Sequence, residues 1–202
     1  MLDERLQSIL SVPLDLIGRR LAGLGVHANA VTLMGAIAGI GASVAIGGGR
    51  HGLALALIAI CRTLDGLDGA VARASRRSDW GGYLDIIADY VFYVGVPLGF
   101  AIAAPATNAL PAAALLASFV LTSASFLAFA ALAAKRADSY EILRQKSFFY
   151  SHGLMEGGET IAFFVAMTLW PTRFPALAWI FSILCLLTVL QRSLIAARQF
   201  HS

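Results

Sequence analysis

Charge is what this chain has least of. Asp, Glu, Lys and Arg make up 13% of its 202 residues, against 58% apolar, far below the roughly 25% charged residues of a soluble domain. From Tyr90 to Ala134 no residue carries a formal charge, a run of 45 positions. A hydrocarbon core about 30 Å thick takes about 20 helical residues to cross. That run therefore fits two crossings, with the breakers Pro105, Asn108 and Pro111 at the turn between them. The scarcity excludes an ordinary soluble domain and gives no reason to expect a nucleic-acid partner; membrane lipids are the expected surroundings. Cysteine is almost absent too. Cys61 and Cys185 both lie in apolar helical stretches, where a thiol behaves as a small hydrophobe, and two are too few for a cysteine-based metal site. There is no low-complexity tract, linker or convincing repeat. Met1 to Arg20 mixes acids with bases and has no compact apolar run before a small-residue cleavage site, unlike a secretory leader.

What is present divides into one surface segment and six apolar stretches. Leu2, Leu6, Ile9, Leu10, Leu16, Ile17 and Leu21 recur at roughly helical spacing, interrupted near Pro13 and flanked by Arg5, Arg19 and Arg20. This pattern reads as an amphipathic segment over 1–25 lying on the membrane surface. Crossings are expected near 31–48, 52–73, 84–104, 110–134, 154–171 and 175–195. The fold class is thus an all-α integral membrane protein, one domain over 1–202, with a six-helix bundle over 31–195. Six crossings place both termini and the 74–83 and 135–153 loops on one side. That side holds thirteen of the fifteen Lys and Arg residues, and only Arg50 and Arg173 fall on the other. Cytoplasmic loops are enriched in Lys and Arg, so both termini are expected to face the cytoplasm.

The chemistry sits in two short stretches. Asp65-Gly66-Leu67-Asp68-Gly69-Ala70-Val71-Ala72-Arg73 is followed by Gly81-Gly82-Tyr83-Leu84-Asp85-Ile86-Ile87-Ala88-Asp89. On helices, Asp65 and Asp68 are three residues apart and Asp85 and Asp89 four apart, so each pair shares a face. A basic, glycine-containing turn brings the second helix back against the first, and four carboxylates converge near the cytoplasmic edge of the bilayer. Such a cluster must be neutralised by protons or cations. Carboxylate oxygens suit hard ions such as Mg²⁺, Mn²⁺ or Ca²⁺, two divalent ions balance four aspartates, and paired metals clamp phosphates. Gly66, Gly69 and Ala72 keep one helix wall bare, so that a nucleotide can approach the backbone. Arg73 stands one position further on, suited to a phosphate charge. A metal or proton transporter is the competing class for an intramembrane aspartate cluster. It needs polar groups continuing across the membrane, whereas the third and fourth crossings become apolar beyond the motif.

The pattern D-x2-D-G-x2-A-R, seven residues, then G-x3-D-x3-D resembles the signature of the CDP-alcohol phosphatidyltransferases. Asp65, Asp68, Gly69, Ala72, Arg73, Gly81, Asp85 and Asp89 fill its positions, and the whole chain looks like a bacterial inner-membrane branch of that family. The resemblance implies a two-metal site (Mg²⁺ or Mn²⁺) in a polar cavity open to the cytoplasm. Asp65, Asp68 and Asp85 would be metal ligands, and Asp89 a ligand or the base that activates the acceptor hydroxyl. Gly69, Ala72, Arg73 and Gly81 would border the CMP or diphosphate portion of the donor. The family often carries Pro-Asn-x-x-Thr before the first span; here Ala28-Asn29-Ala30-Val31-Thr32 keeps Asn29 and Thr32 for nucleotide contact but lacks the proline. The implied reaction moves a phosphatidyl group from a CDP-activated lipid, with CDP-diacylglycerol the expected donor, to an alcohol with release of CMP, in phospholipid biosynthesis. Relatives that use phosphorylated acceptors present arginines near the segment that here reads Gly153 to Thr160, where this chain has Glu156 and Glu159. A carboxylate pair repels a phosphate and favours a polyol or amine. Lys135 and Lys146 keep glycerol phosphate open. Family members are commonly homodimers, so a homodimer is expected, although Gly35-x3-Gly39 and Gly95-x3-Gly99 read first as packing within one protomer.

Overall fold

A computed structural model describes residues 2–135 and 157–200, and every element among them is helical. In chain order these are α1 (Leu2–Gly23), α2 (Ala28–Gly47), α3 (His51–Ala74), α4 (Asp79–Ala103), α5 (Pro105–Lys135), α6 (Gly157–Leu169), a 3₁₀ turn (Pro171–Arg173) and α7 (Phe174–Phe200). Four stretches are long and apolar enough to cross a membrane: Ala28–Gly47, Asp79–Ala103, Pro105–Leu132 and Pro171–Arg198. At 24 residues, α3 is about 36 Å long, but Arg62, Asp65, Asp68 and Arg73 lower its hydropathy. The described part of the expected fifth crossing, α6, has 13 residues.

Side-chain size is sorted the opposite way from a water-soluble core. On α2 the buried positions include Gly35, Ala38, Gly39, Ala42 and Ala45, while Leu33, Ile37, Ile40 and Val44 stand outward at helical spacing, Ile37 and Val44 being 69% and 70% exposed. In water such a face is a liability; in lipid it is the solvated surface, and small residues on the inner face let helices approach closely. Both glycine pairs serve this packing inside the chain. A side chain at Gly39 would meet Cys61 Sγ and Phe92 at 3.3 Å, and one at Gly99 would lie 2.5 Å from the Ser43 carbonyl oxygen. Thus α2 packs against α3 through Gly35 and Gly39, and against α4 through Gly39, Gly95 and Gly99.

The same core continues through large aromatic residues that join α4 to α6 and α7. Phe100 stacks on Phe174 with centroids 4.3 Å apart, Phe163 stacks on Phe181 at 4.6 Å, and Phe92 meets Phe164 edge-on at 5.5 Å.

Two local expectations are corrected. The hairpin between the uncharged crossings does not extend over Pro105–Pro111. The chain turns at Ala104 alone, Pro105 opens α5, and Pro111 lies inside that helix. Proline suits a first helical turn because its missing N–H would be unsatisfied there, and Asn108 Nδ2 donates to the Phe100 carbonyl at 2.9 Å, tying the two helices across the turn. Nor is the amphipathic segment broken at Pro13, since α1 runs through it. Its contact with α3 uses Leu14 and Gly18, while Val12, Leu16 and Ile17 remain 73%, 51% and 45% exposed, as a helix lying on a lipid surface requires.

Candidate active site

Two helix ends build the site. Near its C-terminus α3 carries Asp65, Asp68, Gly69, Ala72 and Arg73. Four residues later α4 begins, capped by Ser78, whose Oγ accepts from Gly81 N at 3.0 Å, a standard way to satisfy a free amide at a helix start. The cap orients the first turn of α4, so that Asp85 and Asp89, on the second and third turns, face α3. Gly81 is needed locally: a side chain there would meet Asn29 Oδ1 and Ser78 Oγ, each at 3.1 Å.

Asp65, Asp68 and Asp85 each offer a carboxylate oxygen, and these atoms lie within 4.8 Å of one another. One hard cation with oxygens at 2.0–2.4 Å spans just such a separation. At 4.8 Å and an effective dielectric of about 20, each pair of carboxylates repels by about 3.5 kcal/mol. Three pairs then approach the whole stability of a domain, about 5–15 kcal/mol. Protons or compensating positive charge must therefore offset the cluster, and the all-oxygen donor set fits Mg²⁺ or Mn²⁺. Asp68 is further fixed by Thr32, whose Oγ1 lies 2.6 Å from its Oδ2, and it is the most buried of the group at 6% exposure.

Asp89 is placed differently. Its Oδ1 accepts from Arg62 Nη1 at 2.9 Å, and the same nitrogen lies 3.5 Å from Asp65 Oδ2. The Arg62 guanidinium also rests over the Phe92 ring, 4.5 Å from its centroid, a contact that favours a cation. Arg62 thus supplies a fixed positive charge at the corner of the site where the fourth carboxylate stands.

Asn29, Thr32, Gly69, Ala72, Arg73 and Gly81 all line one cavity of about 240 Å³, with Asp68 and Asp85 in its wall. A narrow recess of about 10 Å³ next to it is bounded by all four aspartates together with Arg62 and Thr32. Thr32, Asp68 and Asp85 border both spaces, so the larger cavity meets the carboxylate cluster directly. Of the acceptor candidates, Lys135 ends α5, where it is exposed, and Glu159 stands in the first turn of α6. The start of α6 is near the Arg62 corner of the site, since a side chain at Gly157 would lie 3.8 Å from Tyr93 Oη, and the Tyr93 ring centroid is 6.0 Å from the Arg62 guanidinium carbon. Lys146 and Glu156 lie outside the described residues.

The sequence reading assigned no site role to Arg62, Arg76, Arg77 or Ser78. For Arg62 a signal was present: an arginine one turn before Asp65, inside an apolar helix, must have a partner. Arg76, Arg77 and Ser78 line the larger cavity. They lie in the seven-residue interval between the motif halves, where spacing alone assigns no role.

Comparison with known proteins agrees with this geometry. Residues 25–191 match the family model of the CDP-alcohol phosphatidyltransferases. The chain is 44% identical to the inner membrane protein YnjF of Escherichia coli, over 95% of this chain and 93% of that one. It is 36% identical over 91 residues to the archaetidylinositol phosphate synthase of Pyrococcus horikoshii, covering 45% of this chain and 48% of that one. The crystal structure of Mycobacterium tuberculosis phosphatidylinositol phosphate synthase (PgsA1) with CDP-DAG bound superposes with a TM-score of 0.67 at 20% identity, over 89% of this chain and 90% of that one. At that identity the likeness is one of fold. The chain belongs to the CDP-alcohol phosphatidyltransferase family.

Proposed function

We propose that this protein transfers a phosphatidyl group from CDP-diacylglycerol to a non-phosphorylated alcohol, with release of CMP, as a step of phospholipid biosynthesis at the cytoplasmic face of an inner membrane. One observation carries the reading: a cavity lined by small residues and Arg73 opens onto Asp68 and Asp85, two of three converging carboxylates. CDP-DAG bound to the related PgsA1 supports the choice of donor, and the E. coli relative's description as an inner membrane protein supports the location. In this reading α3 and the α6 region join the four apolar helices to make six crossings, both termini face the cytoplasm, and α1 lies on that surface.

Asn29, Thr32, Gly69, Ala72 and Gly81 receive the nucleotide, and Arg73 meets its diphosphate. Asp65, Asp68 and Asp85 would hold divalent cation, Mg²⁺ or Mn²⁺, two ions as the family resemblance implies. Such ions, when bound, stabilise charge on phosphate oxygens. Arg62 takes one oxygen of Asp89 and fixes the carboxylate's direction, leaving the other oxygen for the acceptor hydroxyl. The acceptor oxygen forms a bond to the lipid-side phosphorus, its proton passes to Asp89, and the bond from that phosphorus to the bridging oxygen breaks. The electron pair leaves with CMP.

Glu159, with Glu156, disfavours a phosphorylated acceptor by like charge. An ion path across the membrane is disfavoured by the packing beyond the motif: Phe92, Val96 and Phe100 of α4 are at most 1% exposed. The test is CMP release from CDP-diacylglycerol by detergent-purified protein, with inositol, glycerol, serine and glycerol 3-phosphate offered in turn. Release with one non-phosphorylated alcohol is the expected result. Glycerol 3-phosphate outperforming the others would overturn the acceptor assignment, and no release with any pairing of CDP-alcohol and acceptor would overturn the reaction.

A further inference from the structure

Arg73 closes the first half of the motif, and its guanidinium is braced from outside the bundle. Nη2 and Nε both donate to Asp15 Oδ1, at 2.8 and 3.2 Å. Asp15 belongs to α1, 58 positions earlier in the chain. The remaining nitrogen, Nη1, lies over Gly69, where a built Cβ would stand 3.3 Å from it. Gly69 and Arg73 both line the cavity assigned to the nucleotide. One edge of the planar fork is thus occupied by a carboxylate, while the other end is presented at the cavity wall. A phosphate arriving from the cavity meets Nη1 and does not compete for the Nε–Nη2 edge.

The position of Asp15 is set by backbone packing. A side chain at Gly18 would lie 2.7 Å from Ala70 Cβ and 2.8 Å from the Ala70 carbonyl carbon, so α1 and α3 touch almost backbone to backbone there. One residue before Asp15, Leu14 Cδ1 would lie 3.0 Å from a side chain at Gly66. These contacts bracket Asp15 on the helix and fix where its carboxylate stands relative to α3. An unbraced arginine has many rotamers to give up on binding, and a pre-organised fork has fewer.

We propose that Asp15 is a positioning residue for the donor: held by the seat of α1 on α3, it orients Arg73 so that Nη1 meets the diphosphate of a CDP-linked donor. The surface helix is therefore part of the donor site, although none of its residues lines the cavity. This rests on the donor reading given above.

The experiment measures kcat and KM for CDP-diacylglycerol at saturating acceptor in the full-length protein, for wild type, Asp15→Ala, Leu14→Ala, Arg73→Gln and the Asp15→Ala/Arg73→Gln double variant. Asp15→Ala is expected to raise the donor KM about fivefold, the size of one well-placed ion pair, with kcat and the acceptor KM unchanged. Leu14→Ala, which keeps the carboxylate but loosens one of the contacts that fix it, raises the donor KM by less than Asp15→Ala does. The double variant is no worse than Arg73→Gln, because Asp15 acts only through Arg73. Should Asp15→Ala not purify folded, the isosteric Asp15→Asn is read by the same criterion. An unchanged or lowered donor KM, or additive losses in the double variant, overturns the role of Asp15 while the reaction stands. A wild-type protein that releases no CMP from any CDP-alcohol overturns the donor reading and this inference with it, so the two failures are told apart by the wild-type control.

Discussion

Among the four aspartates, environment separates roles that spacing leaves alike. Asp65, Asp68 and Asp85 gather their oxygens within 4.8 Å, whereas Asp89 is bound to Arg62 at 2.9 Å. Arg62 lies nearer to Asp89 than to Asp65, at 2.9 against 3.5 Å, while Asp68 and Asp85 have no ion pair among the described residues. This division is the ground for the proposed role of Asp89 as the group that receives the acceptor's proton. Asp89→Asn preserves shape and a hydrogen-bond acceptor for Arg62 but removes the base. It is expected to lower kcat at least a hundredfold, the range of a lost general base, while the thermal midpoint of the purified protein stays near wild type. Near wild-type CMP release by that variant would remove Asp89 from the proton path.

The helices show how far sequence reading reaches. The eight signature positions, the helical first segment and four of the six expected crossings were legible, because i, i+3 and i, i+4 spacing is written directly in the order of residues. Arg62 was visible as an arginine that needs a partner in an apolar helix, but which partner it takes was not. Its pairing with Asp89, 27 positions later, depends on how α3 and α4 cross, which no local period encodes. The Asp15–Arg73 contact is less legible still, since it joins α1 to the motif across one intervening helix, α2. Pro111 misled for the converse reason: proline marks turns on average, yet an α5 that starts at Pro105 accommodates it. The glycine seams permit a sharper prediction. A side chain at Gly99 would lie 2.5 Å from the Ser43 backbone oxygen, and backbone cannot move aside as a flexible side chain can. Gly99→Val should therefore destabilise the α2–α4 pair by about 1–3 kcal/mol, read as a lowered thermal midpoint in detergent. Gly52→Val, where a Cβ meets no atom within 4 Å, serves as the control and should leave the midpoint nearly unchanged.

For the whole molecule the central matter is sidedness. Arg73, Arg76 and Arg77 line the larger cavity beside the signature at the C-terminal end of α3, while Arg50 stands at that helix's opposite end. Buried Cys61 and Cys185, each 2% exposed, give a quiet background for labelling introduced cysteines with an impermeant thiol reagent. Arg50→Cys is expected to react in cells whose outer membrane alone is permeabilised, and Arg77→Cys only after the inner membrane is opened as well. The reverse pattern would invert the orientation and place the site on the wrong side for a cytoplasmic nucleotide donor.

Metal-dependent CMP release tests the account most directly. Purified protein given CDP-diacylglycerol and its alcohol acceptor should release CMP with Mg²⁺ or Mn²⁺, stop on chelation and resume when the ion is restored. Asp68→Asn, which replaces one of the three converging carboxylates by a neutral amide, should lose at least about a hundredfold in rate. CMP release that persists under chelation, or that Asp68→Asn leaves intact, would contradict the claim that these carboxylates hold the ions on which transfer depends.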